Sequence, residues 1–332
     1  MAKIAVLGAG GWGTLAVMAD RYGNAVTLWT KFEEEAAMIR QHGEHKKLLP
    51  GIPVPPSVYL TTDLRCAAEA DLVLMAVPSF AIAETAAALA SILPAGAVVA
   101  NCGKGLEDGR YRRFSQVMRE LLPAARVVAL SGPSHAEEVG RGVPTSVVSA
   151  SEDIEAAELV QDLLMNPSFR IYVNADIVGV ELGGALKNII ALAAGICDGL
   201  DMGDNTKAAL MTRGLTEIAR LGVACGARTE TFGGLSGMGD LIVTCTSMHS
   251  RNRRCGILVG QGLSGAEAVK QVGMTVEGYT NTKNAYEMGR RLGVEMPITN
   301  EVYRVLYEGK DIRQAIADLM GRPRRHESEY TW

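Results

Sequence analysis

Short apolar runs alternate with helical patterns through the first half of the chain. These runs occupy residues 4–7, 25–29, 72–77, 98–100, 127–130 and 145–148. They are rich in β-branched residues and almost continuously apolar, which is typical of strands buried on both faces. Strands that alternate with helices in this way favour a mainly parallel sheet covered by helices on both sides. We therefore predict an α/β domain over residues 1–174.

The apolar periodicity changes after residues 171–173. From there on, apolar residues recur at helical spacing and the β-rich runs stop. Ser264 with Glu267, and Asp311 with Gln314, have the spacing of helix-capping pairs, which predicts helix starts at these points. We predict a second, all-helical domain over residues 175–332.

A glycine-rich loop follows the first predicted strand directly and precedes a helical pattern. Its glycines, Gly8, Gly10 and Gly13, have the G-x-G-x-x-G order. In that order the first glycine permits a tight turn, the second lets the backbone approach a pyrophosphate, and the third lets helix and strand pack closely. The amino end of the helix favours negative charge. The sequence therefore predicts a Rossmann-type dinucleotide site.

The end of the second predicted strand bears on the choice of cofactor. NAD-binding domains commonly place an acidic residue about 20 positions after the glycines, where it bonds the ribose 2′-hydroxyl. Lys31 stands at this point instead, and Glu33, Glu34 and Glu35 follow it. A cation could hold a 2′-phosphate, whereas the acids also suit the first turn of a helix. We favour NADP as the cofactor and leave NAD open.

Two lysines stand in segments whose composition marks them out. Lys104 lies between Gly103 and Gly105 after a predicted strand, at the position where open α/β sheets bind their ligands. A solvent-exposed lysine in a turn is the alternative interpretation. Lys187 lies on an apolar helical stretch, with small residues on its own stripe. Those small residues suit either a hollow around the ammonium group or close packing against another helix. A desolvated lysine near a second cation has a lowered pKa, so we predict that Lys187 donates a proton.

A basic cluster precedes a helical pattern in the second half of the chain. If Ser250 caps that helix, then Arg251, Arg253 and Arg254 fall in its first turn. Cations are disfavoured there by the helix dipole, and a bound anion would remove the conflict. A basic surface helix is the alternative.

These segments together resemble bacterial NAD(P)-dependent glycerol-3-phosphate dehydrogenases over nearly the whole chain. The matching runs are residues 8–14, 104–107, 131–139, 181–188, 239–241, 244–247, 250–252 and 276–278. The resemblance implies a Rossmann domain followed by a helical domain, with the substrate in the cleft between them. It also implies reversible reduction of dihydroxyacetone phosphate to sn-glycerol 3-phosphate, which supplies phospholipid synthesis.

The resemblance further implies a role for each matching residue. The catalytic residues would be Lys187, Lys104 and Asp240. The substrate would be held by Lys104, Gly132, Ser134, Lys187, Asp240, Ser250, Arg251 and Asn252. The cofactor would be held by Gly8, Gly10, Gly11, Trp12, Gly13, Lys31, Lys104, Ala136, Arg251 and Glu277.

Composition narrows the remaining classes of function. The 332 residues carry a net charge of −4, which argues against a nucleic-acid surface. We expect a cytoplasmic protein without a membrane segment, because the amino terminus has no export signal and no apolar stretch is uninterrupted.

The six scattered cysteines suit reduced thiols, and neither they nor the five histidines show metal-ligand spacing, so we expect no metal. The expected partner is a small triose phosphate, and a homodimer stays open.

Two other functions fit the two-domain plan. A β-hydroxyacid or ketopantoate-type reductase would need a cation that binds a carboxylate in place of the cluster at residues 250–252. A non-catalytic nucleotide sensor would keep the fold without the chemistry. Retention of Lys104, Lys187 and Asp240 together argues against the sensor.

Overall fold

The computed structural model describes residues 1–324, 326 and 327 of the chain. These residues divide into two compact units. The first consists of Met1–Gly103 and Arg112–Ile177, and the second of Lys104–Tyr111 and the chain from Val178 onward. The predicted domain boundary lay after residue 174, and the prediction kept residues 104–111 in the first domain. The structure assigns that short segment to the helical unit instead.

The first unit is built on an eight-stranded sheet. The strands are β1 Lys3–Leu7, β2 Ala25–Trp29, β3 Tyr59–Thr61, β4 Leu72–Met75, β5 Val98–Asn101, β6 Arg126–Ser131, β7 Thr145–Ala150 and β8 Phe169–Asn174. Their spatial order is β3-β2-β1-β4-β5-β6-β7-β8. All neighbours are parallel except β6 and β7, which are antiparallel. The predicted mainly parallel sheet is confirmed.

Helices and apolar side chains cover both faces of this sheet. The helices are α1 Thr14–Arg21, α2 Glu33–His42, α3 Ile82–Leu89, α4 Phe114–Leu121, α5 Ala136–Arg141 and α6 Ile154–Leu164. Successive side chains of a strand point to opposite faces. In β1, Ile4 and Val6 therefore join one apolar cluster, while Ala5 and Leu7 join another. Burial on both faces explains why these strands lack an alternating polar pattern.

The regular elements of the second unit, within its described residues, are all helices. Its helices are α7 Ile177–Gly199, α8 Gly203–Ala224, α9 Thr229–Phe232, α10 Asp240–Thr246, α11 Arg251–Gly260, α12 Gly265–Val272, α13 Glu277–Leu292, α14 Pro297–Tyr307 and α15 Ile312–Met320. Ser264 caps α12 in a capping box with Glu267, and Asp311 caps α15 by accepting from the Gln314 amide. The predicted helical domain and both predicted helix starts are confirmed.

Helix α7 forms the centre of the second unit. It is the one helix, within the described part of the chain, that is long and apolar enough to cross a membrane, but 94% of its most apolar window is buried inside the fold. Gly195 and Gly199 face Gly256 and Gly260 of α11 so closely that an added Cβ would overlap the opposing backbone. The small residues of α7 therefore allow two helix backbones to touch. Gly183, which lies on the stripe of Lys187, is packed in the same way, because a Cβ there would lie 2.7 Å from the Ser236 carbonyl oxygen.

Candidate functional site

The glycine loop of the first unit joins β1 to α1. Gly8 has φ +119°, and a Cβ there would lie 2.7 Å from the Ala76 carbonyl oxygen. A Cβ at Gly13 would lie 3.2 Å from the Gly8 carbonyl oxygen. Residues Gly11–Gly13 form a single 3-10 turn that leads into α1, and no side chain caps its start at Gly10. The loop thus presents backbone N–H groups at a helix start, which fits a dinucleotide pyrophosphate.

Three further predicted contacts lie in the same unit. The Cβ of Ala136, at the start of α5, lies 3.8 Å from where a Cβ on Gly11 would be. Gly132 follows β6 with φ +146°, where a Cβ would meet the Val147 backbone at 2.9 Å. The Ser134 hydroxyl donates to the Gly132 carbonyl at 2.9 Å. The structure therefore brings Ala136 to the glycine loop, and fixes Gly132 and Ser134 in one tight turn.

The end of β2 has a different charge pattern from the one that the sequence suggests. Lys31 forms an ion pair with Glu84 of α3 at 2.6 Å, and both side chains are more than half exposed. Glu33 pairs with Arg40, while Glu35 contacts the Thr30 hydroxyl and the His45 ring. Glu33 and Glu35 therefore contact residues other than Lys31, and the carboxylate that contacts Lys31 is that of Glu84.

Two lysines of the second unit share one buried carboxylate. Asp240, the first residue of α10, accepts from the Lys104 ammonium at 2.9 Å and from the Lys187 ammonium at 2.6 Å. The Asp240 and Lys187 side chains are only 2% and 6% exposed. Lys187 also donates to the Thr244 hydroxyl at 2.5 Å, and that hydroxyl donates to the Asp240 carbonyl at 2.6 Å. Because these residues lie on α7, α10 and the 104–111 segment, the packing of two helices and one non-helical segment assembles the cluster.

Burial and neighbouring charges shift the pKa values in this cluster. Burial is the main cause that lowers the pKa of Lys187 to about 8; the Lys104 ammonium adds to this shift and Asp240 opposes it. Burial alone would raise the pKa of Asp240, but the two ammonium groups together hold it below its usual value. A lysine that titrates near neutral pH can exchange a proton, and the carboxylate beside it stays ionised. The lowered pKa predicted for Lys187 is thus what the fold produces.

The start of α11 holds the basic cluster. Ser250 caps this helix by accepting from the Arg253 amide at 3.2 Å, so the predicted cap is confirmed. The Arg253 guanidinium contacts the Asp198 carboxylate at 2.7 Å. All three arginines lie in the first turn of α11 as predicted, and for Arg253 a carboxylate from α7 compensates the charge within the protein.

A chain of amides connects this helix start to the lysine cluster. The Asn252 side chain donates to the side-chain oxygen of Asn188 at 2.8 Å and accepts from the Gly278 amide at 2.8 Å. Asn188 is the residue after Lys187, and Gly278 is the residue after Glu277. The structure therefore joins Asn252, a predicted substrate residue, to the α7 residue next to Lys187 and to the α13 residue next to Glu277.

Comparisons with known proteins agree with this geometry. Residues 3–157 match the model of the NAD-dependent glycerol-3-phosphate dehydrogenase N-terminus, and residues 176–317 match the model of the C-terminus. Glycerol-3-phosphate dehydrogenase [NAD(P)+] of Moorella thermoacetica is 57% identical over 98% of both chains. The chain belongs to the NAD-dependent glycerol-3-phosphate dehydrogenase family. The predicted family is confirmed.

Solved structures separate this family from the alternative reductase. The crystal structure of glycerol-3-phosphate dehydrogenase from Coxiella burnetii matches with a TM-score of 0.92 and 38% identity over 97% of this chain and 99% of that one. A PanE/ApbA family ketopantoate reductase from Ralstonia eutropha matches over 96% of this chain and 99% of that one, with a TM-score of 0.61 and only 17% identity. The second match shows a shared fold and nothing more.

The structure draws attention to three residues for which the sequence predicted no role. Thr244 lies one helical turn after Asp240, and that spacing could have predicted its contact with Lys187. Asn188 is adjacent to Lys187 in sequence, but its partner on α11 is visible only in the fold. Phe80, in the short 3-10 turn that follows β4, has 78% of its surface exposed.

Proposed function

We propose that this chain interconverts dihydroxyacetone phosphate and sn-glycerol 3-phosphate with NADPH or NADH, and that Lys187 is its proton donor. The observation that carries the proposal is the buried Lys104–Asp240–Lys187 cluster, in which one carboxylate contacts two ammonium groups. Two cations and one anion leave a net positive charge in a site shielded from water. Such a site favours a substrate oxygen that becomes negative during reaction.

When bound, the reduced nicotinamide supplies a hydride to the carbonyl carbon of the ketone. The carbonyl π electrons move to its oxygen, and the Lys187 ammonium protonates that oxygen, so a C–H bond and an O–H bond form while Lys187 becomes neutral. In the oxidation direction neutral Lys187 accepts the same proton. Lys104 supplies a second positive charge beside the oxygen.

Asp240 and Thr244 orient the proton donor. They accept two of the three N–H protons of Lys187, and among the described residues no other acceptor takes the third. The third proton is the one available to a substrate oxygen. Because the Asp240 pKa is held low, this carboxylate stays an acceptor and does not take the proton itself.

The phosphate of the substrate belongs at the start of α11. Ser250, Arg251 and Asn252 lie there, where helix N–H groups and cationic side chains suit an anion. Gly132 and Ser134 would contact the substrate from the tight turn after β6. A dianion is better matched to this cluster than the single charge of a carboxylate.

The first unit provides most of the cofactor contacts in this proposal. The loop with Gly8, Gly10, Gly11, Trp12 and Gly13 holds the pyrophosphate, with Ala136 beside it. The remaining contacts are assigned to Lys31, Lys104, Arg251 and Glu277. Lys31 at the end of β2 attracts a 2′-phosphate, so we favour NADP over NAD, although Glu84 partly neutralises this lysine.

The activity places the protein in supply of glycerol 3-phosphate for phospholipid synthesis, and we propose that it acts in the cytoplasm. The test is oxidation of NADPH and, separately, NADH by the purified protein on addition of dihydroxyacetone phosphate. Ketopantoate and unphosphorylated dihydroxyacetone are the controls. Turnover that requires the phosphate supports the proposal, whereas turnover of ketopantoate, or cofactor binding without any turnover, would reject it.

A further inference from the structure

We propose that Asp198 is a positioning residue for phosphate recognition: it clamps Arg253 and thereby fixes the start of α11, where the substrate phosphate binds. This inference rests on the proposed function. Asp198 lies near the end of α7, and neither it nor Arg253 was assigned a role from the sequence.

Asp198 is a carboxylate shared by two cations. One of its oxygens contacts Arg253 at 2.7 Å and the other contacts Lys207 of α8 at 2.5 Å. All three side chains are less than one fifth exposed. Water screens such a network less than a surface pair, so its geometry is held firmly.

Arg253 extends the clamp to a third helix. A second nitrogen of its guanidinium donates to the carbonyl oxygen of Thr246, the last residue of α10, at 2.8 Å. One side chain therefore contacts the ends of α7 and α10 while its own backbone begins α11. These are the helices that carry Lys187, Asp240 and Arg251.

The backbone around Arg253 has no room to adjust. A Cβ at Gly195 of α7 would overlap the Arg253 carbonyl oxygen, and one at Gly256 would overlap the Leu192 carbonyl oxygen. Helices in such close contact transmit a displacement of one residue to the next turn. These contacts hold α11 from Arg253 onward, so loss of the clamp should displace the three residues before them, Ser250, Arg251 and Asn252, and leave the rest of the helix in place.

The clamp also changes the electrostatics of the helix start. Arg253 occupies the first turn of α11, where the dipole disfavours a cation, and Asp198 compensates it. Because this charge is compensated inside the protein, an incoming phosphate has no need to compete for Arg253. The other positive charges at the helix start are then free to attract the substrate phosphate.

The test compares phosphorylated and unphosphorylated ketones in the Asp198→Asn variant. We expect the KM for dihydroxyacetone phosphate to rise about tenfold while kcat changes less than about threefold. The low activity with unphosphorylated dihydroxyacetone and the Kd for NADPH should stay within about twofold of the wild-type values. Asp198→Glu, which keeps the charge, should recover most of the lost affinity.

Glu301→Gln is the matched control. Glu301 of α14 is also a largely buried carboxylate that contacts two cations, Arg304 at 2.6 Å and Lys310 at 2.5 Å. Its loss should lower stability as the Asp198 variant does, without changing the KM. If Asp198→Asn does not stay folded, Arg253→Met removes the clamp from the other side and should give the same rise in KM.

A KM within twofold of wild type, or equal losses with both ketones, would overturn the inference and leave the proposed function intact. An equal rise in KM in the Glu301→Gln control would also overturn it. Failure of the wild-type protein to reduce dihydroxyacetone phosphate would instead reject the proposed function.

Discussion

The glycine loop of the first unit and the lysine cluster of the second are both suited to negative charge, but they use different parts of the chain. In the loop, Gly8 and Gly13 have no side chains, and the backbone N–H groups at the helix start face the ligand site. In the cluster, Lys104 and Lys187 project long side chains onto the buried carboxylate of Asp240. A backbone site binds a fixed charge, whereas a side-chain site can also give up a proton.

This difference determines which substitutions each site tolerates. An added Cβ in the loop should impair its folding or its cofactor binding, whereas changes of charge elsewhere in the chain should have little effect on either. The cluster should be sensitive to loss of one ionisable group, because the remaining charges stay buried. Substitutions in the two units should therefore separate cofactor binding from proton transfer.

The largest effect is expected for Lys187→Met, which removes the proton donor and keeps an apolar side chain of similar length. We expect kcat for ketone reduction to fall about 10³-fold, within the usual range for loss of a general acid. The Kd for NADPH should change less than about twofold. Steady-state kinetics and fluorescence titration measure the two quantities. Lys270→Met, on the exposed side of α12, is the control that should leave both unchanged.

A smaller effect is expected for Gly10→Ala. Gly10 has φ −67°, and an added Cβ would lie 3.6 Å from Leu48, so the fold accommodates it. The methyl group would still hinder the pyrophosphate, and we expect the Kd for NADPH and NADH to rise about tenfold. Thermal melting should show little change.

Gly8→Ala is the matched comparison for that variant. Its φ of +119° and the 2.7 Å approach to Ala76 predict a loss of stability instead, seen as a lower melting temperature. Equal cofactor affinity in Gly10→Ala and wild type would contradict the assignment of this loop.

The smallest effect is expected for Lys31→Met, because the ion pair with Glu84 is exposed and screened. We expect kcat/KM for NADPH to fall about fivefold while that for NADH changes less than about twofold. Lys3→Met is the control, since Lys3 forms a similarly exposed pair with Glu69. A parallel loss with both cofactors would remove Lys31 as the residue that selects NADP.

Much of the fold could be predicted because its strands are buried on both faces and several of its helices, such as α11, α12 and α15, begin with a capping side chain. The strand β3 was missed since it has three residues and Tyr59 is exposed, which leaves too little apolar pattern. The placement of residues 104–111 with the helical unit depends on tertiary contacts, such as the Leu106 amide bonding to Asn281. No local pattern encodes such a contact.

The candidate site was predictable to the extent that it depends on local sequence. The glycine loop and the Ser250 cap follow from spacing. The ion pairs of Lys31 with Glu84 and of Arg253 with Asp198 join residues 53 and 55 positions apart. Spacing does not identify such partners, and here they changed the interpretation of both cations.

The pH dependence of kcat in both directions tests the central role of Lys187 most directly. Burial lowers the pKa of Lys187 to about 8. Reduction needs the protonated form, so its kcat should be constant below about pH 8 and fall about tenfold per pH unit above it. Oxidation needs the neutral form and should rise up to the same pH. A break near the ordinary lysine pKa of 10.5, or the same trend in both directions, would contradict the account.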